Sequence, residues 1–129
     1  MSEKDKTQIG TILWTDLTID NAEEVKDFYS KVIGWKSEPV SMGDYNDFNM
    51  TNPTTGEPAV GVCHKRGGNA DLPTQWLNYF SVDNLEMSIE QCKHLGGKII
   101  AGPKEMGKMG KYCIIEDPAG AVCALFESI

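Results

Sequence analysis

The sequence predicts an α+β fold built from two tandem βαβββ modules, and three observations carry that prediction. A strand-like run from Thr11 to Thr18 leads into the helix start Asp20-Asn21-Ala22-Glu23, and a second run from Trp76 to Val82 leads into Asp83-Asn84-Leu85-Glu86. The two acidic helix starts are 63 residues apart, and so are Gly34 and Gly97, the glycines expected to end the helices. Turn segments recur on nearly the same period: Asn52-Pro53-Thr54-Thr55-Gly56 and Asp117-Pro118-Ala119-Gly120 are offset by 65 at the proline and 64 at the glycine. Strand, helix and turn returning in one order on one period mark an internal duplication.

Each element follows from local pattern. Residues 1–8 are mostly charged or polar and are expected to form a tail. After the first strand, Glu23 follows Asp20 at the spacing of a helix start signal. Val25, Phe28, Tyr29, Val32 and Ile33 then recur at helical spacing, and Gly34 is placed to stop the helix. Gly34 to Val40 reads as a turn into a second strand, Asp47 to Thr51 as a third and Pro58 to His64 as a fourth. The first module is expected at 9–66, a polar, glycine-containing linker at 67–74 and the second module at 75–129. The linker lacks the spacing of a glycine-rich phosphate loop. In the second module Leu85, Ile89 and Cys92 share a helix face, and Lys98–Ala101, Tyr112–Glu116 and Ala121–Glu127 are the remaining strands. Between them, Gly102 to Lys111 carries three glycines and two methionines. It reads either as a solvated hairpin loop or as a lid offering Met106 or Met109 to a ligand.

A chain of 129 residues can bury a core without disulfide or metal staples, so the two modules make one domain. Nineteen acidic against twelve basic residues, a formal charge of -7, oppose binding to nucleic acid or to an anionic membrane. The N-terminal segment has no apolar stretch of a signal peptide and no run approaches membrane-spanning length, so the expected location is the cytoplasm. The four cysteines, at 63, 92, 113 and 123, form no Cys-x-x-Cys pair and read as buried free thiols.

Paired βαβββ modules, with Phe28-Tyr29 in the first helix, Val32-Ile33-Gly34-Trp35 at its end and Glu116-Asp117-Pro118-Ala119-Gly120 before the last strand, resemble the vicinal oxygen chelate superfamily. That superfamily includes glyoxalase I, the bleomycin-resistance proteins and the extradiol dioxygenases. Trp14-Thr15-Asp16-Leu17 together with Gly34-Trp35 looks most like a bacterial subgroup of small proteins of unassigned activity. The resemblance implies curved mixed sheets around a cleft and a homodimer. In metal-dependent members it also implies His, Gln or Glu ligands on the first and last strands of the modules.

Carried over by position, those ligand sites fall on Trp14 (Leu13 by a second count), Leu77, Val62 and Ala124, none of which binds a divalent ion. A one-residue shift exposes Cys63, Asn78, Cys123 or Leu125 and still assembles no hard-metal site. No metal and no other cofactor are therefore expected.

What the strands offer instead is an aromatic and polar set: Trp14 and Asp16 on one face of the first strand, Tyr79 and Ser81 on one face of its counterpart, and His64 on the face of Val60 and Val62. If those faces line the cleft, Trp14, Asp16, His64 and Tyr79 are the ligand-binding candidates, with a small organic molecule as partner. Each has a structural alternative: core filling for Trp14 and Tyr79, backbone satisfaction for Asp16, and simple exposure for His64.

Three functions stay open. The first is metal-independent binding of an aromatic or cationic compound. The second is a glyoxalase-like or dioxygenase-type enzyme, whose metal-free form would use Asp16 with His64 or Tyr79 for acid–base chemistry. The third is an interaction protein whose cleft is filled by its own side chains. No residue pattern selects a reaction or a substrate.

Overall fold

The alternation of core and surface residues along each strand builds, in each module, four mixed strands side by side, covered by one helix. The computed structural model describes residues 8–66 and 69–129. Most of the expected tail, and Gly67 and Gly68 of the expected linker, lie outside the described residues.

The first module runs β1 (Ile12–Ile19), α1 (Ala22–Val32), β2 (Lys36–Ser41), β3 (Asn46–Thr51) and β4 (Pro58–His64). The second runs β5 (Trp76–Ser81), α2 (Leu85–His94), β6 (Lys98–Met106), β7 (Gly110–Glu116) and β8 (Val122–Ser128). In the first, the strand order is β2-β3-β4-β1, with β1 parallel to β4 and the rest antiparallel. In the second, β5-β8-β7-β6 repeats the plan, with β5 parallel to β8. The α+β fold of two tandem βαβββ modules is thus as the sequence predicts. By compactness the described residues divide into a unit within Trp14–Trp76 and a second unit of Leu77–Ile129 with the described residues up to Leu13. Within that second unit the Gly10 amide donates to the Ser81 carbonyl at 2.8 Å, and the Ser81 amide donates to the Thr11 carbonyl at 2.9 Å.

Parity decides which side chains enter each core. Leu17 and Ile19 of β1, Phe48 and Met50 of β3 and Val62 of β4 are buried with Ala22 of α1, and Val25, Tyr29, Trp35, Val60 and Trp76 pack around them. The Trp76 indole donates to the Tyr29 hydroxyl at 3.2 Å, so the aromatic group also satisfies its polar atoms. In the second unit Leu85, Ile89 and Cys113 form the matching cluster with Val82, Ile99, Ile115 and Leu125.

Three local expectations change. Asn21 and Asn84, not Asp20 and Asp83, occupy the helix caps, and Asn84 accepts the Met87 amide at 3.0 Å. Gly96, not Gly97, takes the left-handed conformation after α2, with φ of 96°, whereas Gly97 is small because a Cβ there would meet the Cys92 sulfur at 2.6 Å. Gly102 to Lys111 is neither lid nor loop along most of its length. It extends β6 to Met106 and starts β7 at Gly110, leaving a short turn between.

Candidate functional site

The first-module sheet has a second face, opposite α1, and its chemistry is concentrated on β1 and β4. Leu17 and Ile19 point to the helix side, so alternation puts Trp14, Asp16 and Thr18 on the other. The parallel register sets Asp16 opposite Gly61 and Thr18 opposite Cys63. A Cβ at Gly61 would lie 3.1 Å from the Asp16 Cβ and 3.4 Å from the Trp14 ring, so the missing side chain eases the close approach of Asp16, and the indole lies against β4 at contact distance.

Trp14 hydrogen-bonds to the Asp16 carboxyl, the indole N–H being the only polar hydrogen it can give. Burial raises the Asp16 pKa to about 7, the Trp14 bond opposes that rise, and the negative charge of Asp47 adds to it. Cys63 is half-buried beside both carboxylates. Burial first, then Asp16 and Asp47, push its thiol far above the ordinary range, and its S–H bonds to Asp47. This thiol is held protonated and is no nucleophile at neutral pH. Asp47 Oδ1 also accepts the His64 amide at 2.9 Å and lies 3.4 Å from the imidazole Nδ1.

The four sequence candidates divide. Trp14 and Asp16 are in contact on the outer face. His64 is on the other parity of β4, with Val60 and Val62, and its ring packs at 5.4 Å from Tyr45 and 6.4 Å from Phe48, a core residue. His64 therefore does not share the Asp16 face, and an Asp16–His64 acid–base pair acting on one substrate is not formed by these strands. It is also not the exposed strand-end residue that its neighbours Lys65 and Arg66 suggested, since its side chain is 13% accessible. Tyr79 is a buried residue of the second unit, opposite Ala124, with its ring 6.1 Å from that of Tyr112.

Asp47, Gly61 and Cys63 complete the first-module site and were not singled out as ligand contacts from sequence. Signals existed: a glycine inside a strand marks a close approach, and Asp47 alternates with the core positions Phe48 and Met50. Two surface hollows of the second unit, of about 340 and 270 Å³, are lined only by its own residues and hold none of these groups.

Strand register also corrects the carried-over metal positions. Asp16 pairs with Gly61 and Tyr79 with Ala124, both steps being 63 residues between modules. Gly61, not the core residue Val62, is therefore the counterpart of Ala124. Trp14, Gly61, Leu77 and Ala124 lack any side-chain ligand for a hard cation, so the residues present do not fit the metal that the superfamily pattern implies. Among the described residues no group of three or more His, Cys, Asp or Glu is placed to hold a metal ion.

The family model described as "Glyoxalase/Bleomycin resistance protein/Dioxygenase superfamily" matches residues 11–125. CFP32 of Mycobacterium tuberculosis, which bears a provisional glyoxylase name, is 24% identical over 120 residues, covering 93% of this chain and 45% of that protein. The anthracycline biosynthesis protein DnrV of Streptomyces peucetius is 27% identical over 129 residues, covering 92% and 47%. The chain thus spans about half the length of the curated relatives it matches. A crystal structure of a glyoxalase/bleomycin resistance protein/dioxygenase superfamily member from Vibrio splendidus 12B01 superposes with a TM-score of 0.57 at 13% identity, covering 89% of this chain and 97% of that one. That likeness shows the fold.

Proposed function

This chain belongs to the glyoxalase/bleomycin resistance protein/dioxygenase superfamily, and from that premise we propose that it binds a small aromatic or cationic organic compound without a metal. One observation carries the proposal: the Trp14–Asp16 pair, an indole laid over Gly61 and bonded to a half-buried carboxyl. Asp16 has a second carboxylate, Asp47, nearby and no cationic side chain among the groups that shift it. A cation on this face supplies the missing counter-charge, displaces the proton that burial holds on Asp16, and meets the ring of Trp14. Partial likeness to an anthracycline biosynthesis protein is in keeping with an aromatic ligand.

The ion-pairing partner of such a ligand is the deprotonated Asp16, so affinity rises with pH through about 7. NMR titration with a panel of arylalkyl ammonium compounds and their neutral isosteres tests this. The expected result is at least one ammonium compound, cationic throughout, that binds roughly tenfold tighter at pH 8 than at pH 5, one decade being about 1.4 kcal/mol. Trp14→Ala and Asp16→Asn remove that binding. If both variants bind every member as the parent does, this face is not the ligand site.

A second reading rests on the same carboxyl. A group titrating near neutrality suits proton transfer to or from a bound substrate. Turnover abolished by Asp16→Asn with binding retained identifies an enzyme rather than a binding protein.

A further inference from the structure

Asparagine is depleted in strands, yet Asn49 sits in the middle of β3, which runs between β2 and β4. Its neighbours Phe48 and Met50 fill the core under α1, so alternation places Asn49 on the opposite face, with Trp14 and Asp16. Register fixes its position there. Asn49 pairs with Gly61 and Gly61 with Asp16, so the three residues form one row across β3, β4 and β1. In the second module the matching place in the row, opposite Ala124, is taken by Ile114, which is 1% exposed. Apolar filling serves that place in one module, and a half-buried amide stands in it in the other.

The protein does not use that amide itself. Among the described residues the Asn49 side chain makes no hydrogen bond, and none of its polar atoms is sealed from solvent. Strands lie ~4.8 Å apart, so two steps separate the Asn49 and Asp16 backbones by roughly 9.5 Å. Between them the Trp14 indole lies against Gly61, with Nε1 and Cζ2 as its nearest atoms. The row thus offers a carboxyl, an aromatic surface and an amide in that order. A ligand that sets its cation on Asp16 and its ring on Trp14 carries the far edge of the ring toward Asn49. With a hydrogen bond at each end, its two polar atoms are about 5–8 Å apart. An arylethyl ammonium with an oxygen on the opposite side of the ring meets that spacing.

From this row we infer that Asn49 is a specificity-determining residue of the first-module face, selecting arylalkyl ammonium compounds that carry a hydroxyl or carbonyl oxygen on the ring edge remote from the cation. The inference rests on the ligand-binding reading of Trp14 and Asp16 and names the class of compound within it. The amide holds both donor hydrogens and an acceptor oxygen, so it pairs with either kind of oxygen. A bare ring edge set against it strips water from the amide and returns no bond, and that difference is the source of the discrimination.

Two matched pairs test it, tyramine against phenethylamine and serotonin against tryptamine, by NMR titration of the whole chain at pH 8. In at least one pair the hydroxylated member is expected to bind about three- to tenfold tighter, the usual worth of one hydrogen bond. Asn49→Leu and Asn49→Ala are each expected to bring the two members within about twofold of each other, since neither side chain can form that bond. Circular dichroism confirms that each variant is folded. Equal affinity within every pair for the parent chain overturns the inference, as does a preference that both variants keep. Binding by no member overturns it as well. These comparisons hold Asp16 constant, whereas the pH dependence and the Asp16→Asn variant on the wider panel decide the ligand-binding reading, so the two failures are separate results.

Discussion

Gly61 stands directly opposite Asp16 in the parallel β1–β4 register, and a Cβ added there would come within 3.1 Å of the Asp16 Cβ while meeting the Trp14 indole at an ordinary contact distance of 3.4 Å. The counterpart pair one module on is Tyr79 opposite Ala124. The position that holds an aromatic hydroxyl residue in one module holds a carboxylate in the other, and that substitution gives the first module its chemistry.

Gly61→Ala sets the added methyl against the Asp16 Cβ and the Trp14 ring. Overpacking of this kind costs about 1–3 kcal/mol, against the roughly 0.4–1 kcal/mol that replacing glycine returns through the unfolded state. Urea denaturation is expected to show a net loss, and Asp16→Gly introduced with it recovers part of that loss. A coupling of at least about 0.5 kcal/mol in the four-member cycle identifies the Asp16 Cβ as the group displaced.

Stability depends on pH through Asp16. Its folded pKa is raised to about 7 from 3.8, so the folded state binds the proton more tightly than the unfolded one. The contribution is fully present below the unfolded value and is lost as pH rises through about 7. Asp16→Asn, which keeps an acceptor for Trp14, is therefore expected to melt above the parent at pH 8, by up to about 2–4 kcal/mol in stability. Near pH 4 that advantage disappears. Thermal melts at the two pH values check it.

Asp47 is the hub that links the outer face to His64. Asp47→Asn removes a negative charge from beside Asp16 and Cys63 and is expected to lower both of their pKa values. Carboxyl NMR titration then places the Asp16 midpoint below that of the parent, and Cys63 alkylates faster at pH 8. Asp47→Ala also strands the His64 amide, which Asp47 accepts at 2.9 Å. A lost bond to a half-buried donor costs about 1–3 kcal/mol, readable by urea denaturation.

Gly110 opens β7 with φ of 152°, and a Cβ there would collide with the backbone carbonyl of Glu127 and with the Phe126 ring. The carbonyl cannot rotate away, because β7 and β8 are paired from Gly110 onward. Gly110→Ala is expected to cost at least about 3 kcal/mol, beyond the usual range of point substitutions. Gly107→Ala, in the turn just before, meets no atom within 4 Å and costs only its strained φ of 55°. Comparing the two melts separates collision from conformation.

Much of this protein was settled by its sequence. The 63-residue period, the strand alternation and the helix starts establish two βαβββ modules, because strand and helix periodicities are local and leave their trace in the order of residues. The same alternation placed Trp14 and Asp16 together.

Tertiary structure decided what depends on pairing between distant strands. Which parity of β4 faces α1 is fixed by the Asp16–Gly61 register, and a one-residue difference moves every side chain to the opposite face. That step carried His64 and Val62 to the helix side and brought Gly61 and Cys63 to Asp16. The upward shift of Asp16 likewise arises from burial and from Asp47, 31 residues away along the chain. Propensity acts between neighbours in sequence, whereas burial, charge and register act between neighbours in space.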